Sequence, residues 1–156
     1  MRALGIDPGY DRLGVAIIER QADTDTVVFS TCIETDPAAD MPTRLGVLGT
    51  ELETILIAHQ PELVGIETLF FNTNIKTALG VAQARGVVLY LVSQRQLPIF
   101  ELSPQAIKVA LTGYGKSDKH AVTMMVRQLT ENVPETAHDD EYDAIAAGIT
   151  ALAHYR

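Results

Sequence analysis

The sequence predicts a mixed α/β fold in which helices flank a five-stranded sheet, and three observations indicate it. Three short apolar runs separated by turn-forming residues open the chain, which is typical of an antiparallel meander. Two later apolar runs alternate with segments that repeat apolar residues at helical spacing. Hydrophobic residues form 47% of the 156-residue chain, so we expect residues 1–156 to form a single domain with a substantial core.

Each predicted strand is a short run dominated by apolar or β-branched residues. The strands are expected at about 3–6, 14–19, 27–33, 63–67 and 98–102. Helices are expected at about 45–56, from 74 onward, and at 104–112, 118–129 and from 138 onward.

Local signals set several of the helix boundaries. Pro61 ends the first helix, and Ser103 is an N-cap followed by Pro104 at the first helical position. Either Ser117 or Asp118 caps the fourth helix. In the second helix a small-residue stripe at 78, 82 and 86 indicates close packing against the sheet or, alternatively, a subunit contact.

Four carboxylates occupy positions that a two-metal nuclease site requires. Asp7 and Glu67 each follow an apolar strand, where open α/β sheets place their ligands. Asp140 and Asp143 stand three residues apart at the start of the last helical pattern. Converging carboxylates repel each other and need a cation or shifted pKa values. Oxygen ligands favour Mg²⁺ or Mn²⁺, although solvation or helix capping is the alternative for each carboxylate taken alone.

Charge and cysteine content narrow the possible partners. The net charge of −8 opposes nucleic-acid binding, yet residues 76–127 hold seven Lys and Arg against two acidic residues. A positive face could therefore meet phosphate.

No run is long enough for a transmembrane helix and the N-terminus is not a signal peptide, so no membrane association is expected. The lone cysteine, Cys32, is expected in the core and fits a cytoplasmic location.

Four sequence motifs, in order along nearly the whole chain, resemble the RuvC family of bacterial Holliday-junction resolvases. They are G-I-D-P-G-Y-D-R-L-G, I-E-T-L-F-F-N-T-N followed by A-L-G-V-A-Q-A-R-G, G-Y-G-K-S-D-K-H and D-E-Y-D-A-I-A-A-G. The resemblance implies a ribonuclease-H-like fold, a homodimer and an endonuclease that nicks two opposed strands of a four-way junction. It also implies Mg²⁺, with Mn²⁺ able to substitute, at two ions per site, and the partners RuvA and RuvB.

The resemblance also implies roles for individual residues. The family's acidic ligands fall on the four carboxylates named above, with Asp139 as a second candidate beside Asp140. The aromatic side chain that stacks near the junction crossover falls on Phe70, although its neighbour Phe71 is the alternative and both could be core residues. The family's DNA-facing lysines match Lys108 and Lys119.

Three other functions stay open on the sequence alone. An ATPase of the actin and sugar-kinase type also begins with a G-I-D-x-G hairpin, but it needs two such lobes. A junction-binding module without catalytic activity would not need all four carboxylates. A ribonuclease H would share the acidic site, so substrate choice alone separates it from a junction nuclease.

Overall fold

One mixed sheet separates two helical layers in the computed structural model, which describes residues 1–22, 24–68 and 75–155. The strands are β1 (Arg2–Asp7), β2 (Arg12–Gln21), β3 (Thr24–Glu34), β4 (Leu63–Glu67), β5 (Ile99–Leu102) and β6 (Thr130–Glu131). The helices are α1 (Met41–His59), α2 (Ile75–Gln94), α3 (Pro104–Thr112), α4 (Lys119–Leu129) and α5 (Asp139–His154). The α/β class and the predicted elements are confirmed.

The described residues form six strands rather than the predicted five, in the order β5-β4-β1-β2-β3-β6. The additional strand, β6, has two residues and pairs parallel with β3 through Thr26 and Glu131. Two residues cannot show the alternation of apolar and polar positions by which strands are recognised, so the sequence gives no signal for it.

The pairing of the central strands fixes the edge at which the candidate site lies. β1, β2 and β3 form the predicted antiparallel meander. β4 pairs parallel with β1, with Ile6 opposite Ile66, and β5 pairs parallel with β4. Since parallel strands end at the same edge of a sheet, Asp7 and Glu67 lie side by side at the carboxyl edge.

Helices α3 and α4 begin at side-chain caps that the sequence favours. Ser103 Oγ accepts the Ala106 amide at 3.0 Å and starts α3. Asp118, and not Ser117, caps α4 by accepting the Ala121 amide at 2.8 Å. No helix within residues 1–22, 24–68 and 75–155 combines the length and apolar character that a membrane span requires.

Helix α5 lies unusually close to the sheet because glycines face it. A Cβ on Gly5 of β1 would lie 1.9 Å from the Ala144 carbonyl oxygen, and one on Gly14 of β2 would lie 2.0 Å from that of Asp140. Gly65 of β4 meets α5 in the same way. Side chains at these positions would push the helix outward, so the glycines determine how near the carboxylates of α5 come to those of the strands.

Candidate active site

The two strand carboxylates stand in a poorly solvated, negatively charged environment. Burial, followed by the charges of Glu67, Asp143 and Asp140, raises the pKa of Asp7 from 3.8 to about 8. Burial, followed by the charge of Asp143, raises the pKa of Glu67 from 4.5 to about 7. No side chain among the described residues donates a hydrogen bond to either carboxylate. This edge therefore holds more negative charge than the protein itself neutralises.

The two helix carboxylates, in contrast, are each paired with a cationic side chain. Lys119 Nζ at the start of α4 lies 3.0 Å from Asp143 Oδ2. Burial raises the pKa of Asp143, although the hydrogen bond and the charge of Lys119 oppose this rise. Arg12 Nε at the start of β2 lies 3.1 Å from Asp140 Oδ2.

Arg12 is a site residue that the sequence did not single out. Its side chain is half-exposed, whereas Asp140 retains 25% of its side-chain exposure. The buried Oδ2 atom of Asp140 makes no hydrogen bond with any described residue, because Arg12 lies beside it without the geometry of one. The contact joins the start of β2 to the start of α5, and no spacing in the sequence indicates such a pair.

The neighbours of Asp140 face different surroundings. The Asp139 side chain is 76% exposed and lies 3.3 Å from Lys119 Nζ, on the outside of the helix. His138 Nε2 lies 3.3 Å from Glu34 Oε1, and both side chains are more than half exposed. Of the two candidates at the start of α5, Asp140 is the one turned toward the sheet.

A cleft of about 190 Å³ opens beside these carboxylates. Two carboxylates and two lysines line it, namely Glu67, Asp143, Lys108 and Lys119. The rest of its lining is apolar and consists of Pro104, Ile107, Val122 and Ala146. The structure thus brings together the two lysines and two of the four carboxylates that were predicted as site residues. Phe70 and Phe71 lie outside the described residues.

The donor atoms suit a hard divalent cation in chemistry, because all four candidate ligands are carboxylate oxygens. No three His, Cys, Asp or Glu side chains among the described residues stand in an arrangement that could hold an ion. The physical reason is visible in the ion pairs, since Arg12 and Lys119 each engage a carboxylate on α5. The site fits a cation by charge and ligand type, and the helix carboxylates must exchange partners to bind it.

Comparison with known proteins identifies the family. The family model described as crossover junction endodeoxyribonuclease RuvC matches residues 3–151. The RuvC of Thermosipho melanesiensis is 40% identical over 146 residues, which cover 94% of this chain and 93% of that protein. The RuvC of Desulfitobacterium hafniense is 41% identical over 151 residues, covering 96% and 90% of the two chains.

Solved structures agree with the sequence matches. T. thermophilus RuvC in complex with Holliday junction substrate superposes with a TM-score of 0.90 at 28% identity, covering 98% of this chain and 94% of that one. The yeast mitochondrial Holliday junction resolvase Ydc2, at 19% identity, shares the fold with a TM-score of 0.68 over 99% and 83% of the two chains. The chain therefore belongs to the RuvC family of crossover junction endodeoxyribonucleases and has its ribonuclease-H-like fold.

Proposed function

We propose that this crossover junction endodeoxyribonuclease resolves four-way DNA junctions with Asp7, Glu67, Asp140 and Asp143 as the ligands of divalent cations. The observation that carries the proposal is the convergence of two strand ends and one helix on a single acidic cluster. Burial, followed by the charges of Glu67, Asp143 and Asp140, raises the pKa of Asp7 to about 8. A protein has no structural use for such repulsion, whereas a cation relieves it.

The proposed cofactor is a pair of Mg²⁺ ions, for which Mn²⁺ can substitute. Bound there, they would supply charge neutralisation for the attacking and leaving oxygens of a phosphodiester. The protein contributes the ligands and their placement. Asp7 and Glu67 are fixed by the parallel pairing of β1 with β4, and the glycine contacts of α5 set the approach of Asp140.

Lys119 and Lys108 are the proposed phosphate contacts within the cleft. Lys119 Nζ has two acidic partners within 3.3 Å, Asp139 and Asp143. A phosphodiester bound in the cleft offers the same ammonium group a further anionic partner, so Lys119 can place positive charge beside the scissile phosphate. Lys108 lines the same cleft from α3 and extends this positive charge.

Junction selectivity is proposed to come from Phe70, in the segment between β4 and α2. That segment follows Glu67 directly, so it begins at the acidic cluster. A base can stack on an aromatic ring where strands diverge, and such stacking contributes about 1–3 kcal/mol. In a continuous duplex the bases stack on one another, which leaves none for the ring.

We further propose a homodimer that forms through α1 and α2. Ala82 and Gly86 of the small-residue stripe are exposed, so the expectation that this stripe packs against the sheet is wrong. A Cβ on Gly46 or Gly86 would meet nothing within 4 Å, so neither glycine is required by packing among the described residues. Glycine inside a helix costs about 1 kcal/mol relative to alanine, and close approach of a second helix is a physical reason to retain it.

Exposed apolar side chains surround these glycines. Leu79 is 70% exposed and Tyr90 is 63% exposed on α2. A shallow groove of about 510 Å³ runs between α1 and α2 beside Tyr90. A two-fold dimer would bury this surface and present two acidic clusters to the two-fold symmetric junction, as paired nicks require.

Location and protein partners are proposed from the family resemblance. We expect cytoplasmic action together with the junction-binding protein RuvA and the helicase RuvB. This partnership is tested by copurifying the tagged chain with both proteins in the presence of a four-way junction. We expect the complex to form with the junction and to be lost in controls without it.

A substrate panel tests the catalytic proposal. A labelled four-way junction, a matched duplex and an RNA–DNA hybrid are incubated with the protein in Mg²⁺, Mn²⁺ or EDTA. We expect paired nicks in the junction that depend on metal. Asp7→Asn should lose this cleavage, whereas the exposed control Asp36→Asn should keep it. Cleavage of the hybrid in preference to the junction would assign a ribonuclease H activity instead, and ATP turnover would favour the kinase-type alternative.

A further inference from the structure

The connection between α3 and α4 is held in one shape by hydrogen bonds. We call residues 113–118 the α3–α4 loop. Thr112 Oγ1 accepts the Tyr114 amide at 3.1 Å and lies 2.7 Å from Ser117 Oγ. The Ser117 hydroxyl lies 2.8 Å from the Tyr114 carbonyl oxygen, which also accepts the Ser117 amide. Gly113, at φ +75°, makes the left-handed turn that ends α3.

The α3–α4 loop is connected to the lining of the cleft at two points. Near its middle Gly115 folds back on the first turn of α3, where a Cβ would lie 2.9 Å from Gln105 Cγ. Pro104, the neighbour of that glutamine, lines the cleft. At the end of the loop Asp118 caps α4, whose first residue, Lys119, contacts Asp143. The loop is therefore held next to residues that line the cleft.

This loop presents two side chains that the fold does not use. Tyr114 is 61% exposed, and only its backbone takes part in the hydrogen bonds of the loop. Lys116 is exposed and forms no ion pair with any of the residues that the structure describes. Lys108 and Lys119 line the cleft, and Lys116 adds a third lysine from the loop that joins their two helices.

The combination of a phenol ring and an ammonium group suits a sugar–phosphate backbone better than a base. Bases inside a duplex arm are stacked on one another and offer no free face to a tyrosine. Deoxyribose offers an apolar surface for the ring, and the neighbouring phosphate offers an anion for the lysine. A rigid loop loses little conformational entropy when it makes such contacts, which favours binding.

We propose that the α3–α4 loop is a DNA contact outside the cleft, where Lys116 binds a phosphate and Tyr114 packs on the adjacent deoxyribose of a duplex arm. The inference rests on the proposed function, because the cleft must bind DNA for an arm to reach the loop. It differs from the proposed role of Phe70, since an arm contact exists in plain duplex as well as in a junction.

Equilibrium binding in EDTA, measured by fluorescence anisotropy with labelled junction and labelled duplex, tests the loop. Lys116→Ala should weaken binding to both by about 3–10-fold and reduce the salt slope by about one. Tyr114→Ala should weaken both by a similar factor and leave the slope unchanged. Tyr114→Phe, which keeps the ring, should stay within about twofold of the wild type.

Matched controls lie far from the cleft. Arg95→Ala removes one positive charge at the end of α2, and Tyr155→Ala removes a 45% exposed tyrosine after the last turn of α5. Both should bind like the wild type. Melting temperatures of all variants show whether a loss reflects unfolding, and Lys116→Ala and Tyr114→Phe test the inference even if Tyr114→Ala does not fold.

The possible outcomes separate this inference from the proposed function. If the wild type cuts the junction while Lys116→Ala and Tyr114→Ala bind as tightly as it does, the loop contact is wrong and the function stands. If Tyr114→Ala loses affinity for the junction alone, the loop contacts the crossover and the arm contact is wrong. If the wild type does not cut the junction under any metal condition, the proposed function itself fails.

Discussion

Replacing Asp7 with asparagine should stabilise the metal-free protein at alkaline pH while it abolishes cleavage. Burial and the charge of Glu67 raise the pKa of Asp7 from 3.8 to about 8 in the folded state. Because this pKa exceeds that of the unfolded chain, the unfolded state releases the proton first as the pH rises. Stability is therefore lost between about pH 4 and pH 8, and a neutral asparagine of the same shape avoids the loss.

The size of the effect follows from the pKa difference. A difference of about four pH units, at 1.36 kcal/mol each, gives an upper bound of about 5–6 kcal/mol. Asp7 retains partial exposure at the sheet edge, and water screens part of its charge, so we expect about 2–3 kcal/mol at pH 8.5. For a chain of this length that corresponds to a melting temperature about 4–12 °C above that of the wild type.

Thermal unfolding in EDTA at pH 5 and pH 8.5 measures this effect, with Asp36→Asn as the exposed control. The difference between Asp7→Asn and the wild type should be larger at pH 8.5, and Mg²⁺ should raise the melting temperature of the wild type more than that of the variant. A difference that does not change with pH would refute the electrostatic reasoning. Cleavage by Asp7→Asn near the wild-type rate would remove Asp7 from the catalytic site.

Four further predictions address the remaining site and surface residues. Arg12→Gln should remove a cationic side chain that competes with Mg²⁺ for Asp140. The Mg²⁺ concentration that gives half of the maximal thermal shift should therefore fall by about 3–10-fold, and an unchanged midpoint contradicts this. Lys108→Ala should weaken binding to junction and duplex alike and reduce the salt slope by about one, so an unaltered slope argues against a phosphate contact. Phe70→Ala should lower junction cleavage and spare duplex affinity, whereas a loss of about 3–5 kcal/mol in unfolding free energy would show a core role instead. Gly86→Glu should yield monomers in light scattering, and a persistent dimer would exclude the α1–α2 surface.

The sequence could predict the positions of the two strand carboxylates because the local pattern of apolar residues reveals the strands that precede them. Asp7 and Glu67 each end a recognisable strand, and parallel pairing of β1 with β4 then makes them adjacent. Asp143 falls on the inward face of α5 by helical spacing. These placements depend on elements that local periodicity reveals.

The rest could not be predicted because it depends on contacts between distant parts of the chain. The ion pair of Arg12 with Asp140 exists because Gly14 lets α5 approach β2, and neither residue shows this in its local sequence. The exposure of Gly86 likewise depends on which face of α2 meets the sheet. Apolar and small residues can occupy either face, and periodicity alone does not distinguish them.

The position of α5 on the sheet also determines when activity can arise during protein synthesis. Asp7 is made early, but its partner Asp143 follows 136 residues later. At 5–20 residues per second this interval lasts about 7–27 s, and further chain must leave the ribosome before α5 can dock. With the ligand set proposed above, a nascent chain that has folded only its first hairpin is expected to be catalytically inert.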